Sequence, residues 1–574
     1  MTAPSAAGFD IRDIPFSRRG AWFDLSPVVA LHETRENLHL VSHQTGMHAV
    51  LGFEPCRDGV LVSTTTEVCA AALTWIADDG TIEAVFDDES TLRVRGRSLD
   101  LRIGEAATEL TPFTGTYLFQ DPVDGAAVFT SYETGRRYRV TALSGALTIV
   151  GAELLGAAER AVTASGDEWE IVIEEYEAAR APFVPHRSFD SARDAVAAEF
   201  DDYVDRIAPW RTESTPAAIG ACYVLWSATV SPRGFLERES ILMSKHWMDK
   251  VWSWDHCFNA LALSPGLPAE ALDQFLVVFD LQDGRGALPD SVTHSEVLYN
   301  FVKPPIHGWA LRRLRASLPA PLDLGVLRTI YDALARWTGF WLENRRVPGH
   351  PLAHYQHGND SGWDNATMFD RDRVVEAPDL AAFLTVQLDV LADLATELGL
   401  EDDAARWQAE CAAMGRALLH LWEGDAFVAR SALSGRASKT TSLLTALPIV
   451  AADHLPDQVV RRVAETIAGH LTEFGPATQR VDTDEYEGDG YWRGPIWAPS
   501  TALVEHGLRH SGHAELADVV SHRFLRLCER SGFAENFDAL TGEALRDRAY
   551  TWTASCYLVL AREAVERARV HAEA

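Results

Sequence analysis

The sequence predicts an α-rich protein of two domains: an antiparallel β-sandwich over residues 1–185 and a toroid of helical hairpins over residues 186–574. Three observations lead there. The chain has 574 residues, 47% hydrophobic and 23% charged, which is ordinary globular composition and more than one compact core holds. Its first third alternates apolar and polar residues with period two. From about Ser191 onward the pattern becomes that of successive helices, with no convincing strand between them.

The strand signals come first in the chain. Leu38-His39-Leu40-Val41, Gly59-Val60-Leu61-Val62-Ser63 and Leu92-Arg93-Val94-Arg95 alternate in character. Thr114–Phe119 and Trp169–Ile173 read as further strands. Turn residues separate them, as in Asp78-Asp79-Gly80 and Asp121-Pro122-Val123-Asp124-Gly125. Many short strands at close spacing suit an antiparallel sandwich.

About thirteen helices follow, at 192–207, 215–230, 254–263, 268–281, 306–317, 322–344, 378–398, 402–421, 440–451, 456–472, 498–510, 513–530 and 549–569. Ser191 stands as a cap before an alanine-rich run, and Pro268 and Pro378 take first-turn positions. Helices of this length joined by alternating short and long loops suit a toroid. Periodicity alone is equally compatible with an irregular α-domain. No repeat of 30 to 45 residues is visible, which argues against a regular solenoid.

Charge narrows the function. Asp and Glu total 83 against 51 Lys and Arg, a net charge of −32. Nucleic acid calls for a basic face, and an anionic membrane would repel this chain, so neither is an expected partner. The seven cysteines form no C-x-x-C pair and read as core residues of a reducing compartment. The first twenty residues lack the apolar stretch of a signal peptide, and no apolar run reaches 18 residues. The expected location is the cytoplasm. Without an H-E-x-x-H motif, an EF-hand loop or a phosphate-binding glycine loop, neither a catalytic metal nor a cofactor is expected; a structural Ca²⁺ stays open.

Thirteen of the 17 Trp lie after residue 220, several in loops beside charged residues. Three segments stand out: Lys245–Asp255 with Trp247, Trp252 and Trp254, Gly358–Asn365 with Trp363, and Tyr491–Trp497 with Arg493. Indole faces stack on the C–H faces of a sugar, and carboxylates or guanidinium groups bond its hydroxyls. Glycosidic hydrolysis further needs two carboxyl groups. Asp364, between Trp363 and Asn365, suits a desolvated proton donor. Glu535, flanked by Phe533 and Phe537, is one of several candidates for its partner, and residue types alone do not select it.

Motif order does select it. Trp252-Ser253-Trp254-Asp255 resembles a W-x-W-D motif, Gln282-Asp283-Gly284 with Gly286-Ala287-Leu288-Pro289 a Q-x-x-x-G-x-x-P stretch, and Lys303-Pro304-Pro305 a [QK]-P-P segment. Asp360-Ser361-Gly362-Trp363-Asp364-Asn365 resembles E-S-G-x-D-N, Tyr491–Trp497 matches Y-W-R-G-P-x-W, and Glu535–Gly542 resembles E-x-[YF]-[DN]-x-x-[TS]-G, with Trp552-Thr553-Ala554 opening the closing helix. In this order they resemble the inverting glycoside hydrolases of family 63 type, which have an (α/α)6 barrel and include the α-glucosidases and the mannosylglycerate and glucosylglycerate hydrolases; trehalases are more distant. The likeness covers roughly residues 220–565.

The resemblance implies a C-terminal (α/α)6 barrel and an inverting, exo-acting hydrolase of an α-glucosidic or α-mannosidic bond. It makes Asp364 the general acid and Glu535 the general base, and places Trp252, Trp254, Asp255, Arg493 and Trp497 in the sugar subsite. Lys303, Asp360 and Trp363 join them as substrate-binding candidates. The substrate would be a small neutral or weakly anionic sugar. The two carboxyl groups should stand about 6.5–9.5 Å apart, with Asp364 the more enclosed of the two. Two residues depart from the pattern. Asp360 replaces a Glu, which leaves it to orient Asp364 or to contact sugar. Lys303 replaces a Gln, and either meets a substrate anion or pairs with a nearby Asp. Two other classes are compatible with such a toroid: an epimerase, isomerase or lyase using paired histidines among His246, His256, His307 and His357, and a carbohydrate-binding protein without activity.

Overall fold

The computed structural model describes residues 3–107, 114–154 and 159–573. They group into two compact units. One comprises Met1–Arg206, Cys222–Lys250 and Thr293–Glu296; the other comprises Ile207–Ala221, Val251–Val292 and Val297–Ala574.

The first unit is built on thirteen antiparallel strands in one hydrogen-bonded sheet. In chain order they are β1 (Phe23–Ala30), β2 (Glu33–Ser42), β3 (His48–Arg57), β4 (Val60–Leu61), β5 (Thr65–Val68), β6 (Leu73–Ala77), β7 (Gly80–Asp88), β8 (Thr91–Arg97), β9 (Asp100–Glu105), β10 (Thr116–Gln120), β11 (Ala127–Ser131), β12 (Arg137–Val150) and β13 (Ala161–Tyr176). The main path runs β1-β2-β3-β9-β13-β8-β7-β6-β5, and β12, β11 and β10 continue from β13.

The long strand β13 is where the sheet divides. It pairs with β12 throughout, with β9 at Ala161–Ala164, and with β8 at Glu168–Glu174. Trp169 fills the fork. A Cβ on Gly96 or Gly145 would stand 2.3 or 2.4 Å from Trp169 atoms, so the strands approach the indole only through glycine. The indole N–H donates to the Leu99 carbonyl at 2.8 Å. Helix α1 (Phe189–Ile207) sets Phe189 and Ala192 against Ala72 and Val85 of this unit. Its start is capped by Ser188, whose hydroxyl accepts from the Ser191 amide at 3.2 Å. Ser191 itself lies inside the helix.

Eleven further α-helices follow: α2 (Ala218–Ala228), α3 (His256–Leu263), α4 (Pro268–Leu276), α5 (His307–Ser317), α6 (Leu324–Asn344), α7 (Pro378–Glu397), α8 (Glu401–Leu419), α9 (Asp457–Gly469), α10 (Ala498–His510), α11 (Ala514–Ser531) and α12 (Thr551–Glu573). Pro268 and Pro378 open α4 and α7, where the missing N–H needs no partner. The segment Leu443–His454 is 3₁₀-helical, because Pro448 interrupts the α-helical hydrogen bonding expected over 440–451. Short strand pairs that the sequence did not announce also join the loops, such as Val251–Trp252 with Ser291–Val292.

Burial sorts the helices of the second unit. All eight residues of α3 are buried, as are sixteen of α7, so both are surrounded by protein. Helix α11 buries a stripe, Ala517, Val520, Ser521, Phe524, Leu527 and Cys528, and α9 does the same with Val459, Val460, Val463, Ala464 and Ile467. Packing runs from α3 to α5, α7, the 3₁₀ segment, α10 and α12, and from α12 back to α3. Helix α4 flanks α3, α6 and α8 flank α7, α9 flanks the 3₁₀ segment, and α11 flanks α10 and α12. Glycine permits the closest approaches: a Cβ on Gly308 would stand 2.5 Å from the Gln387 Cα. Among the described residues no helix is long and apolar enough to cross a membrane.

Candidate active site

The motif segments lead directly into helices of the packing cycle. Trp252-Ser253-Trp254-Asp255 precedes α3, Lys303–Ile306 precedes α5, Tyr491–Trp497 precedes α10, and the segment from Glu535 to Tyr550 precedes α12.

Asp255 is buried at the start of α3, and its Oδ2 has no hydrogen-bond partner among the described residues. Burial drives its pKa up to about 8, with Lys303 opposing and Asp290 and Asp364 adding to the rise. Lys303 is buried too. Its Nζ lies 3.1 Å from the Asp290 carboxylate and donates to the Asn359 carbonyl at 3.0 Å. Burial alone would lower its pKa, but Asp364, Asp290 and Asp255 together raise it. One ammonium therefore serves three carboxyl groups.

The turn before Asp364 depends on two glycines. Gly362 has φ +72°, and a Cβ there would stand 2.7 Å from the Trp254 indole; a Cβ on Gly358 would collide with the Asp364 carbonyl. Asp360 has both oxygens engaged. They accept from the Arg345 guanidinium at 2.7 Å, the Gln356 amide at 2.8 Å and the Val302 amide at 3.2 Å. Asp364 is partly enclosed, and burial raises its carboxyl above the ordinary range while Lys303 opposes the rise. Asn365 clamps the next motif: its amide donates to the Gly490 carbonyl and its oxygen accepts from the Trp492 amide, both at 3.0 Å. Arg493 donates to the Asn365 carbonyl at 2.9 Å and pairs with Asp370.

Five buried indoles pack around these loops. Trp492 stacks on Trp497 at 3.9 Å and 7°, and on Trp363 at 4.7 Å; Trp552 meets Trp254 and Trp497 edge-on at 5.7 and 5.5 Å. Trp254, Trp363 and Trp497 are thus almost fully buried in this cluster of indoles, whereas Trp252 is half-buried.

Glu535 is 3% exposed. Its amide donates to the Asp547 carbonyl at 2.7 Å, and a ladder between Ile496 and Phe537 ties its loop to the Tyr491–Trp497 loop. Burial lifts its pKa to about 8, Asp547 adds to the rise, and Arg546 and a hydrogen bond from Tyr491 oppose it. Asp364 also acts on Glu535, so the two carboxyl groups, far apart in the chain, share one electrostatic site. Enclosure runs opposite to the sequence expectation, since Glu535 is the more buried of the two. Asp290, Arg546, Asp547 and Tyr550, which carry charge or polarity into this cluster, were not among the sequence candidates. Asp290 directly follows the Gly286–Pro289 stretch and Tyr550 lies two residues before Trp552, so closeness to a motif was the available signal.

Two other candidates fall elsewhere. Lys245, from the first tryptophan-rich segment, belongs to the first unit, where its Nζ donates to Ser17 Oγ at 2.8 Å and to the Ala21 carbonyl at 2.6 Å. His357 accepts from the Asn359 amide at 3.1 Å and caps the turn before Asp364.

Carboxyl groups among packed indoles, at loops leading into the packing cycle of helices, are a setting suited to sugar chemistry, and the chain is a glycoside hydrolase. The chain belongs to the mannosylglycerate hydrolase MGH1-like glycoside hydrolase domain family, whose model matches residues 248–553. It is 25% identical over 402 residues to a mannosylglycerate hydrolase of Rubrobacter radiotolerans, spanning 54% of this chain and 89% of that protein. A glucosylglycerate hydrolase of Mycolicibacterium hassiacum is 35% identical over 83 residues, 14% of this chain and 18% of that one. Two solved structures share the fold. The family 63 mannosylglycerate hydrolase of Thermus thermophilus in complex with glucose has a TM-score of 0.54 at 21% identity, covering 60% of this chain and 100% of that one. A bacterial glucoamylase complexed with acarbose has a TM-score of 0.62 at 11% identity, covering 98% and 95%.

Proposed function

We propose that this enzyme removes a glucosyl or mannosyl unit from a small α-glycoside with inversion. Asp364 protonates the glycosidic oxygen, and Glu535 takes a proton from the water that attacks the anomeric carbon from the opposite face. The observation that carries this reading is the electrostatic coupling of Asp364 and Glu535 within one buried cluster. Relatives named for mannosylglycerate and glucosylglycerate favour a hexosyl glycerate, a small and weakly anionic substrate.

The other residues take supporting roles. The half-buried Trp252 stacks on the sugar, and Asp255 bonds a sugar hydroxyl through its unpartnered oxygen. Lys303 is the counter-ion of Asp255, Asp290 and Asp364 rather than a receptor for a substrate anion. Asp360 braces the turn that presents Asp364, and Arg493 holds the Asn365 backbone. The cycle of five α-helices and the 3₁₀ segment supports an (α/α)6 barrel within residues 186–574, and the division of the sheet at β13 supports a two-layered sandwich within 1–185. Seven free cysteines favour a reducing, cytoplasmic setting.

The test is hydrolysis of a panel of α-glucosides and α-mannosides, glycerate-linked ones included, by the parent enzyme and by Asp364→Asn and Glu535→Gln. Cleavage by the parent and loss in both variants is the expected result. Unchanged turnover in either variant contradicts the assignment.

A further inference from the structure

Beneath the Trp252–Asp255 loop lies a cluster that the hydrolytic chemistry does not use. His256 and Cys257 open α3, His307 opens α5, and all three are buried, the last two at 0% exposure. One ligand atom from each lies within 4.8 Å of the other two. The Cys257 Sγ stands 3.7 Å from the His256 Nε2. Tetrahedral ligation with Zn–S near 2.3 Å and Zn–N near 2.05 Å separates such atoms by about 3.5 Å.

The tautomer of His256 suits a ligand. Its Nδ1 lies 3.0 Å from the Trp252 carbonyl, so Nδ1–H donates there and the Nε2 lone pair faces the sulfur. The Ser253 carbonyl offers the His307 ring one hydrogen-bond partner, which leaves at least one of its ring nitrogens without a bond among the described residues. A buried ring nitrogen left without a bond is destabilising. A trapped water would need two to four polar partners. The ring neighbours of His307 are Phe279 and His256, each at 5.2 Å, Trp337 at 6.1 Å and Phe275 at 6.3 Å between centroids.

We propose that His256, Cys257 and His307 form a structural metal site for a zinc-type cation, Zn²⁺ or Cu⁺, that ties α3 to α5 under the Trp252–Asp255 loop. Two imidazoles and a thiolate are a soft to borderline donor set, which suits the d¹⁰ ions Zn²⁺ and Cu⁺. On binding, the Cys257 thiol releases its proton to solvent, and the imidazoles direct their remaining N–H groups to the Trp252 and Ser253 carbonyls. These carbonyls belong to the loop that ends in Asp255, so the metal would hold that loop in place. Because the cluster is closed, the ion enters during folding and leaves only on unfolding.

The experiment is metal analysis of the full chain produced with added Zn²⁺, Cu⁺ or Co²⁺, alongside Cys257→Ala and, as a control on the other buried thiol with a histidine neighbour, Cys411→Ser. The expected result is about one tightly held Zn²⁺ or Cu⁺ per parent chain and per Cys411→Ser chain, and none in Cys257→Ala. The Co²⁺ form should show a thiolate-to-cobalt charge-transfer band that vanishes in Cys257→Ala. Metal content far below one equivalent in the parent overturns the proposal, as does content that survives Cys257→Ala or is lost only in Cys411→Ser. The parent's own metal content decides the matter even if Cys257→Ala misfolds.

Discussion

Tyr491 donates a hydrogen bond to Glu535 from a left-handed backbone, φ +63°, a conformation a tyrosine seldom holds. Arg546, whose guanidinium lies 5.0 Å over the Tyr491 ring, has φ +62°. Two strained residues thus flank the proposed base. Strain of this kind, about 1–3 kcal/mol per residue, is held where surrounding packing over-determines the backbone, and it clusters at active sites. Here it sets a hydroxyl and a cation, which both oppose the rise, beside a carboxyl whose pKa burial lifts to about 8.

Tyr491→Phe tests that arrangement. Loss of a charge-assisted hydrogen bond, about 1.5–3 kcal/mol, should raise the Glu535 pKa by about one to two units above its value near 8. The parent enzyme is active when the carboxyl pair holds one proton, so kcat/KM should follow a bell with both limbs above the ordinary carboxylate range. Its upper limb should lie near pH 8, where Glu535 gives up its proton. In Tyr491→Phe that limb should move to higher pH and the maximum should fall. A profile that loses height without moving would leave Tyr491 a packing role only.

Removal of either carboxyl should act on turnover rather than on binding. Asp364→Asn keeps the shape and loses the transferable proton; Glu535→Gln loses the base. Each should lower kcat by at least about 10²-fold, the low end for loss of acid–base catalysis, while calorimetric binding of a monosaccharide product persists.

Lys303→Met should reveal how much the three carboxyl groups depend on one ammonium. Breaking a buried ion pair from one side is destabilising by about 3–5 kcal/mol. Asp255 and Asp364, whose carboxyl groups burial already raises, can relieve the loss by taking up protons. The fall in Tm should therefore be larger at pH 8 than at pH 5, and equal falls at both would argue against an ionic role.

Gly362→Ala should perturb the turn before Asp364. The new methyl would meet the Trp254 indole at 2.7 Å on a backbone of φ +72°. A loss of about 1–3 kcal/mol in unfolding free energy is expected from the backbone alone, read by denaturant titration. Activity should fall further than stability accounts for, because Trp254 and Asp364 shift together.

Much of this site was legible because its residues travel in motifs. Trp254, Asp364 and Trp497 each stand in a segment that mixes rings and charges, a pattern that solvated charge does not produce three times over, and Glu535 is picked out by the order of the motifs. Asp290, Arg546 and Asp547 were not legible, since an acid or arginine in a loop reads as surface until the fold buries it. The work of Asp360 was hidden for a related reason: its partners Arg345, Gln356 and Val302 meet it only through tertiary structure. Helix periodicity located α3 to α12 well, yet Pro448 turned one expected helix into a 3₁₀ segment, and a local cap at Ser188 displaced the one expected at Ser191. The fork at β13 depends on how Trp169 meets Gly96 and Gly145 across three strands, which alternation along a single strand does not encode.

The stereochemistry of the product tests the central claim most directly. In an inverting reaction Glu535 activates water on the face opposite the leaving group, so the first sugar released from an α-glycoside is the β-anomer. Time-resolved proton NMR of the anomeric signals, recorded before mutarotation, should show the β-anomer rising first and the α-anomer following. An α-anomer formed first would mean a covalent double displacement and would contradict the roles given to Asp364 and Glu535.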